Sequence, residues 1–127
     1  MIPASIDFVC QTNADCGEEF LVRDGNNSID TVGLRVKLTA RLHPTGSVLF
    51  VLNDVGAVNS QGVRFLPGGV LQIVIDKETA VSAYETASIT QVNSNTVQIV
   101  HDVLVTYPDG FVETWGHGLI SIEHGVG

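Results

Sequence analysis

Hydrophobic and polar residues alternate strictly along residues 34–42. Every even position in this stretch is apolar and every odd position is polar. A period of two is typical of a strand with one buried side and one solvent-facing side. The polar positions include Arg35, Lys37 and Arg41, so the outer side of this strand is expected to be basic.

Shorter apolar runs, separated by Gly, Pro and Asn residues, predict further strands. Residues 48–52 are apolar at every position, which indicates either a strand buried on both faces or a strand at an inter-subunit contact. Strands are also predicted over 18–24, 62–66, 70–75, 97–106, 111–115 and 119–123, and a bend is expected at the Gly-His-Gly of 116–118.

One stretch, residues 76–85, favours a helix. Asp76 is suited to cap its first turn, and we expect one or two turns at most. The pattern as a whole predicts an all-β fold, a single antiparallel β-sandwich (Ig-like or related) with at most one short helix near 77–85. Residues 1–127 are expected to form one domain, with 1–16 as an N-terminal arm or strand and 124–127 as a frayed tail.

The charge balance narrows the classes of partner. Six Lys and Arg residues stand against 14 Asp and Glu residues, a formal net charge of -8. Phosphate backbones and anionic membranes should repel such a chain, so neither nucleic acid nor membrane is an expected partner. Residues 1–7 lack the basic and apolar segments of a secretory signal, so synthesis in the host cytoplasm is expected.

Two cysteines, Cys10 and Cys16, do not make a disulfide framework. They are interpreted as reduced thiols near a strand end. A local disulfide is the alternative if the protein lives outside a cell after assembly. A zinc site would need two more ligands at suitable spacing, and none lies nearby in the sequence.

Catalytic and metal-binding patterns are lacking in the sequence. His43, His101, His117 and His124 share no ligand-like spacing, and no nucleophile motif or phosphate-binding loop occurs. Residues 24–30 are rich in oxygen ligands but lack the EF-hand order, so they are interpreted as a hairpin turn. We therefore expect a protein that is not an enzyme and has no cofactor or metal.

Aromatic residues suggest a contact surface. Tyr107, Phe111 and Trp115 flank a Pro-Asp-Gly turn and are expected to share a neighbourhood. They are interpreted either as core and edge packing or as a partner-contact patch, because aromatic residues are enriched at interface cores. Phe50, in the apolar run, is the fourth candidate contact residue.

The order of these pieces carries a resemblance over residues 18–127. It rests on the Asp-Thr-Val-Gly step at 30–33 before the basic strand, Glu-Thr-Ala after Asp76, the strand 101–107 with its Pro-Asp-Gly turn, and the closing Gly-Leu-Ile-Ser-Ile at 118–122. The chain resembles the small β-sandwich virion proteins of tailed phages. It is similar in plan to the N-terminal docking domain of baseplate upper proteins and to tail-fibre attachment domains.

The resemblance implies a structural virion component, most simply a tail, baseplate or fibre-adaptor subunit that works by protein–protein assembly. Its expected partners are other virion proteins, and symmetry favours a homo-oligomer, a trimer or a hexamer. A capsid or neck decoration or fibre protein is a close alternative. An Ig-like glycan-binding module, anchored on Trp115, is an alternative of a different class.

Overall fold

The computed structural model describes residues 4–24, 27–92 and 95–125. The elements are, in chain order, β1 (Ala4–Ser5), β2 (Phe8–Gln11), β3 (Cys16–Leu21), β4 (Arg23–Asp24), β5 (Asn27–Ser28), β6 (Arg35–Arg41), β7 (Val48–Leu52), β8 (Gly62–Leu66), β9 (Val70–Ile75), α1 (Lys77–Ser88), β10 (Thr96–Thr106) and β11 (Val112–Glu123).

The strands form two packed sheets, which confirms the all-β sandwich. The large sheet has the order β1-β11-β10-β6-β7, and β2 also pairs with β11; the small sheet has the order β3-β9-β8. Strands β1 and β2 run parallel to β11, whereas the other pairs are antiparallel. The N-terminal arm is thus an edge of the large sheet. The predicted hairpin turn at 24–30 corresponds to the β4–β5 pair, and its residues 25–26 lie outside the described residues.

The alternation of residues 34–42 corresponds to β6 as expected. Val36, Leu38 and Ala40 are buried, and Arg35 and Lys37 point to the opposite side and are exposed. The inward residues of β6, β9, β10 and β11 belong to one continuous apolar core. Burial of this inner side stabilises the fold by the hydrophobic effect and determines which residues face outward.

Helix α1 is longer than expected, with 12 residues instead of one or two turns. Its start is confirmed, because the Asp76 carboxylate accepts a hydrogen bond of 2.8 Å from the Thr79 amide. The extra length is explained by packing, since Ala80, Ala83 and Ala87 are buried in the same core as the inner side of the large sheet. Small side chains allow this close approach, and tertiary contact stabilises the last turn.

The bend expected at 116–118 is wrong, because β11 continues through these residues to Glu123. Gly118 meets a close approach of backbone instead of a turn. A Cβ atom on Gly118 would overlap the Ile6 carbonyl oxygen and lie 2.7 Å from the Ile6 carbonyl carbon. Glycine inside a strand commonly marks such an approach.

The expectation of reduced thiols is also wrong. Cys10 and Cys16 form a disulfide, with their Cα atoms 5.4 Å apart, and both side chains are buried. The chain reverses at residues 12–15 between β2 and β3, and this brings the two cysteines within bonding range. The sequence separation of six is equally compatible with free thiols, so only the paired geometry decides between them.

Residues 124 and 125 of the predicted tail form hydrogen bonds with distant parts of the chain. The His124 amide donates to the Asn95 carbonyl at 2.7 Å, and the Gly125 amide donates to the Thr12 hydroxyl at 2.9 Å. The rest of the predicted tail, residues 126–127, lies outside the described residues.

A buried polar network holds the segment of residues 53–61 against the small sheet. Arg64, which is 2% exposed, donates to the Val55 carbonyl at 2.6 Å and also to the Ser60 carbonyl and to Gln72 Oε1. The Gln72 side chain accepts from the Asn59 amide and donates to Glu19 Oε2 at 3.0 Å. This network covers outward residues of β8 and β9 that the alternation alone would leave in solvent.

Candidate functional site

A groove of about 520 Å³ lies on the outer side of the large sheet. Its lining residues come from the N-terminal arm, β6, the β6–β7 turn, β10 and β11, and are Ser5, Asp7, Thr39, Arg41, Pro44, Val100, His101, Asp102, His117, Gly118 and Leu119. The volume lies in the range of small-molecule sites. The groove is therefore the first candidate site.

The strand register brings these residues together in two rows. Asp102 is paired with Thr39 on one side and with His117 on the other, and His117 is paired with Ser5. Residues in register share one face of a sheet, so these four side chains form a polar row. In the next row, Val100 is paired with Arg41 and with Leu119, which places an apolar strip beside the polar row.

The N-terminal arm forms one wall of the groove. The Ile6 amide donates to the His117 carbonyl at 2.8 Å, and Asp7 Oδ1 accepts from the Leu119 amide at 2.8 Å. The His101 Nε2 atom lies 2.6 Å from the Ile6 carbonyl oxygen, to which it donates. Gly118 makes room for this arrangement, because a side chain there would occupy the position of the Ile6 carbonyl.

Among the described residues, two buried side-chain atoms here have no hydrogen-bond partner: Asp102 Oδ1 on the outward side of β10, and His101 Nδ1 on its inward side, where the His101 ring packs against Phe8. Burial lowers the pKa of His101, and this effect outweighs the Ile6 carbonyl and the Asp102 and Asp7 carboxylates, which raise it. The neutral imidazole is thus favoured, with Nε2 protonated and Nδ1 a free acceptor. Buried atoms of this kind are uncommon in proteins and are explained by strain, water or a ligand.

The groove does not have the arrangement of a nucleophilic relay. In the described part of the chain no hydrogen bond connects His117 to Asp102 or to Ser5, although register places the three in one row. Within residues 4–24, 27–92 and 95–125, no group of three His, Cys, Asp or Glu residues is arranged to hold a metal ion. The arrangement is suited to binding by hydrogen bonds.

The aromatic residues expected to be neighbours do meet at the β10–β11 hairpin. The ring centroid of Tyr107 lies 5.9 Å from that of Phe111 and 6.3 Å from that of Trp115. Trp115 is only 6% exposed and contacts Phe65 across the sandwich, which corresponds to core packing and not to an exposed contact. Phe111, 59% exposed, is the one of the three on the surface.

A shared carboxylate ties this aromatic cluster together. Glu113 Oε1 accepts from the Tyr107 hydroxyl at 2.9 Å and from the Trp115 indole at 2.7 Å. These two hydrogen bonds lower the pKa of Glu113, while burial and the bond to Glu113 raise the pKa of Tyr107. The buried indole of Trp115 therefore has its partner inside the chain, which removes the proposed anchor for a glycan platform at this residue.

Strand β7 forms the edge of the large sheet opposite the N-terminal arm. Val48 is 46% exposed and Val51 38% exposed, so the interpretation as a strand buried on both faces is wrong. Phe50 is paired with the buried Ala40 and packs half-buried against the core, apart from the hairpin cluster. The alternative interpretation of residues 48–52, an inter-subunit contact, stays a prediction.

The groove was missed by sequence reasoning, which treated the histidines one at a time. The His117 side chain lies on the groove side of the sheet, and His101 borders the groove only from the inward side of β10. His43 is exposed in the β6–β7 turn, and His124 packs edge-on against Tyr84. A signal was available in the alternation of β10, where Asp102 and Val100 fall on the outward positions. The pairing of β10 with β6 and β11 could not be obtained from that alternation.

The helix of the described segments is neither long nor apolar enough to cross a membrane. Comparison with known proteins adds no assignment: no protein-family model matches the chain, and no curated protein is significantly similar to it.

Proposed function

We propose that this protein is a structural subunit of a tailed-phage particle, in the tail, baseplate or fibre-adaptor region, and that it acts by assembling with further copies of itself. The observation that carries the proposal is the apolar edge strand β7. Edge strands with exposed apolar side chains are prone to pair with another chain, and monomeric proteins usually protect them with charges, prolines or bulges. Residues 48–52 contain no charge or proline, and the bulge in this strand is confined to Leu49, where the partners on β6 change from Phe50–Ala40 to Val48–Arg41.

The charge distribution supports a second copy of the chain as the partner. Three of the six Lys and Arg residues lie on β6, next to β7, whereas the whole chain has a net charge of -8. The β6–β7 side of one copy is thus complementary to the acidic remainder of another copy. Contact between two unlike surfaces forms a ring when the rotation between copies closes, and the expected trimer or hexamer is such a ring.

Two further observations support a particle as the setting. The order of motifs along residues 18–127 resembles the docking domains of tailed-phage virion proteins. The Cys10–Cys16 disulfide is the bond expected of a protein that persists outside a reducing cytoplasm.

Solution mass, measured by size exclusion with light scattering, tests the assembly step. A discrete trimer or hexamer is expected. Val51→Lys places a charge on the outward side of β7 and should weaken association at least about tenfold. Val32→Lys, at a valine that is also exposed but lies in a turn, is the matched control and should leave the mass unchanged.

A monomer at every concentration, or equal association of the Val51→Lys and wild-type proteins, would contradict self-assembly through β7. The particle itself is tested by mass spectrometry of tailed particles purified from a lysate of the source strain. Recovery of the chain in stoichiometric amounts supports the proposal, and its absence from intact particles overturns the virion assignment.

A further inference from the structure

The groove on the outer side of the large sheet has an unused capacity for hydrogen bonds. Asp102, on the outward side of β10, has a buried Oδ1 atom with no hydrogen-bond partner among the described residues. An unpaired buried acceptor costs free energy, which a ligand with a hydroxyl donor would recover. We propose that this groove binds a neutral saccharide residue, a function separate from assembly through β7.

The polar row supplies the hydrogen-bonding groups that sugar hydroxyls require. The Asp102 carboxylate accepts, while the Thr39 and Ser5 hydroxyls and the His117 imidazole can both donate and accept. Arg41 donates one bond to the Gly46 carbonyl at 3.3 Å and keeps further N–H groups for a ligand. Adjacent hydroxyls on a sugar ring can therefore meet donors and acceptors along a single row.

The neighbouring row supplies an apolar floor. Val100 and Leu119 are paired across β10 and β11, and Pro44 of the β6–β7 turn lines the same groove. A pyranose ring presents C–H groups on its faces and hydroxyls around its rim, so its face would cover the apolar row while its rim meets the polar row. Ligand sites generally combine apolar surface with a few placed polar groups in this way.

Charge selects a neutral sugar over an acidic one. Asp7 and Asp102 bring two carboxylates to the groove against the one guanidinium of Arg41, on a chain with a net charge of -8. Carboxylated sugars and phosphates would be repelled. Arg41, next to the apolar row, disfavours an amine in the same position.

The test is a titration of the ¹⁵N-labelled wild-type protein with neutral sugars, followed by amide chemical shifts. The probes are glucose, galactose, mannose, rhamnose, N-acetylglucosamine and N-acetylgalactosamine, with glucuronate and sialic acid as the acidic comparison. At least one neutral sugar should cause saturable shifts centred on residues 39, 102 and 117. Asp102→Ala should raise the Kd for that neutral sugar at least about tenfold, since a hydrogen bond to a charged group is lost.

Two further variants complete the design. Glu85→Ala removes a carboxylate from the exposed side of α1, on the other side of the large sheet, and should bind as the wild type does. His117→Ala, at an exposed position, should weaken binding even if Asp102→Ala disturbs the sheet. The proposal is overturned if no neutral sugar gives saturable shifts, if the shifts centre on the aromatic hairpin, if both groove variants bind normally, or if the acidic sugars bind more tightly.

Discussion

At Gly118 the N-terminal arm comes closer to β11 than any side chain would allow. The Ile6 carbonyl and the Asp7 carboxylate occupy the space where a Cβ atom would project, and both take part in hydrogen bonds that hold the arm. Because Gly118 has no side chain, the N-terminal arm can pack here and form the wall of the groove. Glycine is needed at this position for space, since its backbone does not adopt a positive φ.

Gly118→Ala should therefore destabilise the protein by about 1–3 kcal/mol, the usual cost of overpacking. Chemical denaturation measures the free energy of unfolding, and hydrogen exchange at the Ile6 and Leu119 amides should accelerate. The control is Gly17→Ala on β3, where a Cβ atom would meet nothing within 4 Å. Equal stability of the two variants would contradict the close approach of the arm.

The buried His101 makes stability depend on pH. Its pKa is lowered from 6.5 by burial, against the opposing effects of the Ile6 carbonyl, Asp102 and Asp7, while His117 lowers it further. At pH values between 6.5 and the lower pKa of His101 in the folded state, the unfolded chain binds a proton that the folded chain does not. This contribution to stability is complete above pH 6.5 and is lost as the pH falls through that window.

The unfolding free energy of the wild type should therefore fall relative to that of His101→Gln between pH 7 and about pH 5, by at most about 1.4 kcal/mol per pH unit. Glutamine retains an N–H donor toward the Ile6 carbonyl but does not titrate. A constant difference between the wild type and His101→Gln across this range would show that His101 does not titrate differently on unfolding.

At the level of elements, the prediction of structure from sequence succeeded where one local pattern decides the outcome. The alternation in β6 and the cap at Asp76 are visible within a few residues. The groove is different, because its polar row joins Ser5, Thr39, Asp102 and His117 through pairings between distant strands. Burial of Trp115 and the Cys10–Cys16 bond likewise depend on which strands become neighbours, and no local pattern encodes that choice.

The segment of residues 53–61 depends on one buried side chain. Arg64→Leu removes the donors to the Val55 and Ser60 carbonyls and to Gln72. The substitution should lower the free energy of unfolding by about 3 kcal/mol. Limited proteolysis should then cut this segment first, while the central amides of β10 keep their exchange protection. Arg35→Leu, on the exposed side of β6, is the matched control. Unchanged proteolysis of the Arg64→Leu protein would contradict the anchoring role.

The disulfide joins β2 to β3, and hence the edge of the large sheet to the edge of the small one. Closure of so short a loop should contribute about 2 kcal/mol by restricting the unfolded chain. Replacing Cys10 and Cys16 together by alanine should lower the Tm, and dithiothreitol should lower the Tm of the wild type but not that of the double variant. Detection of two free thiols in the native protein by mass shift after alkylation would contradict this bond.

At the scale of the whole molecule, charge opposes self-association at the same time as the β7 edge favours it. Two chains of net charge -8 repel each other, so assembly requires local complementarity. Arg35 and Lys37, exposed on β6 just before the residues that pair with β7, are the groups that can supply it and are called the basic row. Salt screens both the attraction between these exposed groups and the general repulsion between the two chains. The direction in which salt changes the association constant therefore shows which of the two interactions dominates at the contact.

Because the contact brings the basic row close to acidic groups, whereas the remaining charges stay farther apart, added sodium chloride should weaken association. Reversing both charges, Arg35→Glu with Lys37→Glu, should weaken association at least about tenfold at low salt and abolish or invert its salt dependence. The control, Arg23→Glu with Lys77→Glu, makes the same change in net charge at exposed positions away from β6. Sedimentation equilibrium at several salt concentrations measures these constants. The two double variants have the same net charge. Equal weakening of association by both would therefore assign the effect to general repulsion and would contradict a place for Arg35 and Lys37 in the interface. Weakening by the β6 variant alone places these two residues within the interface.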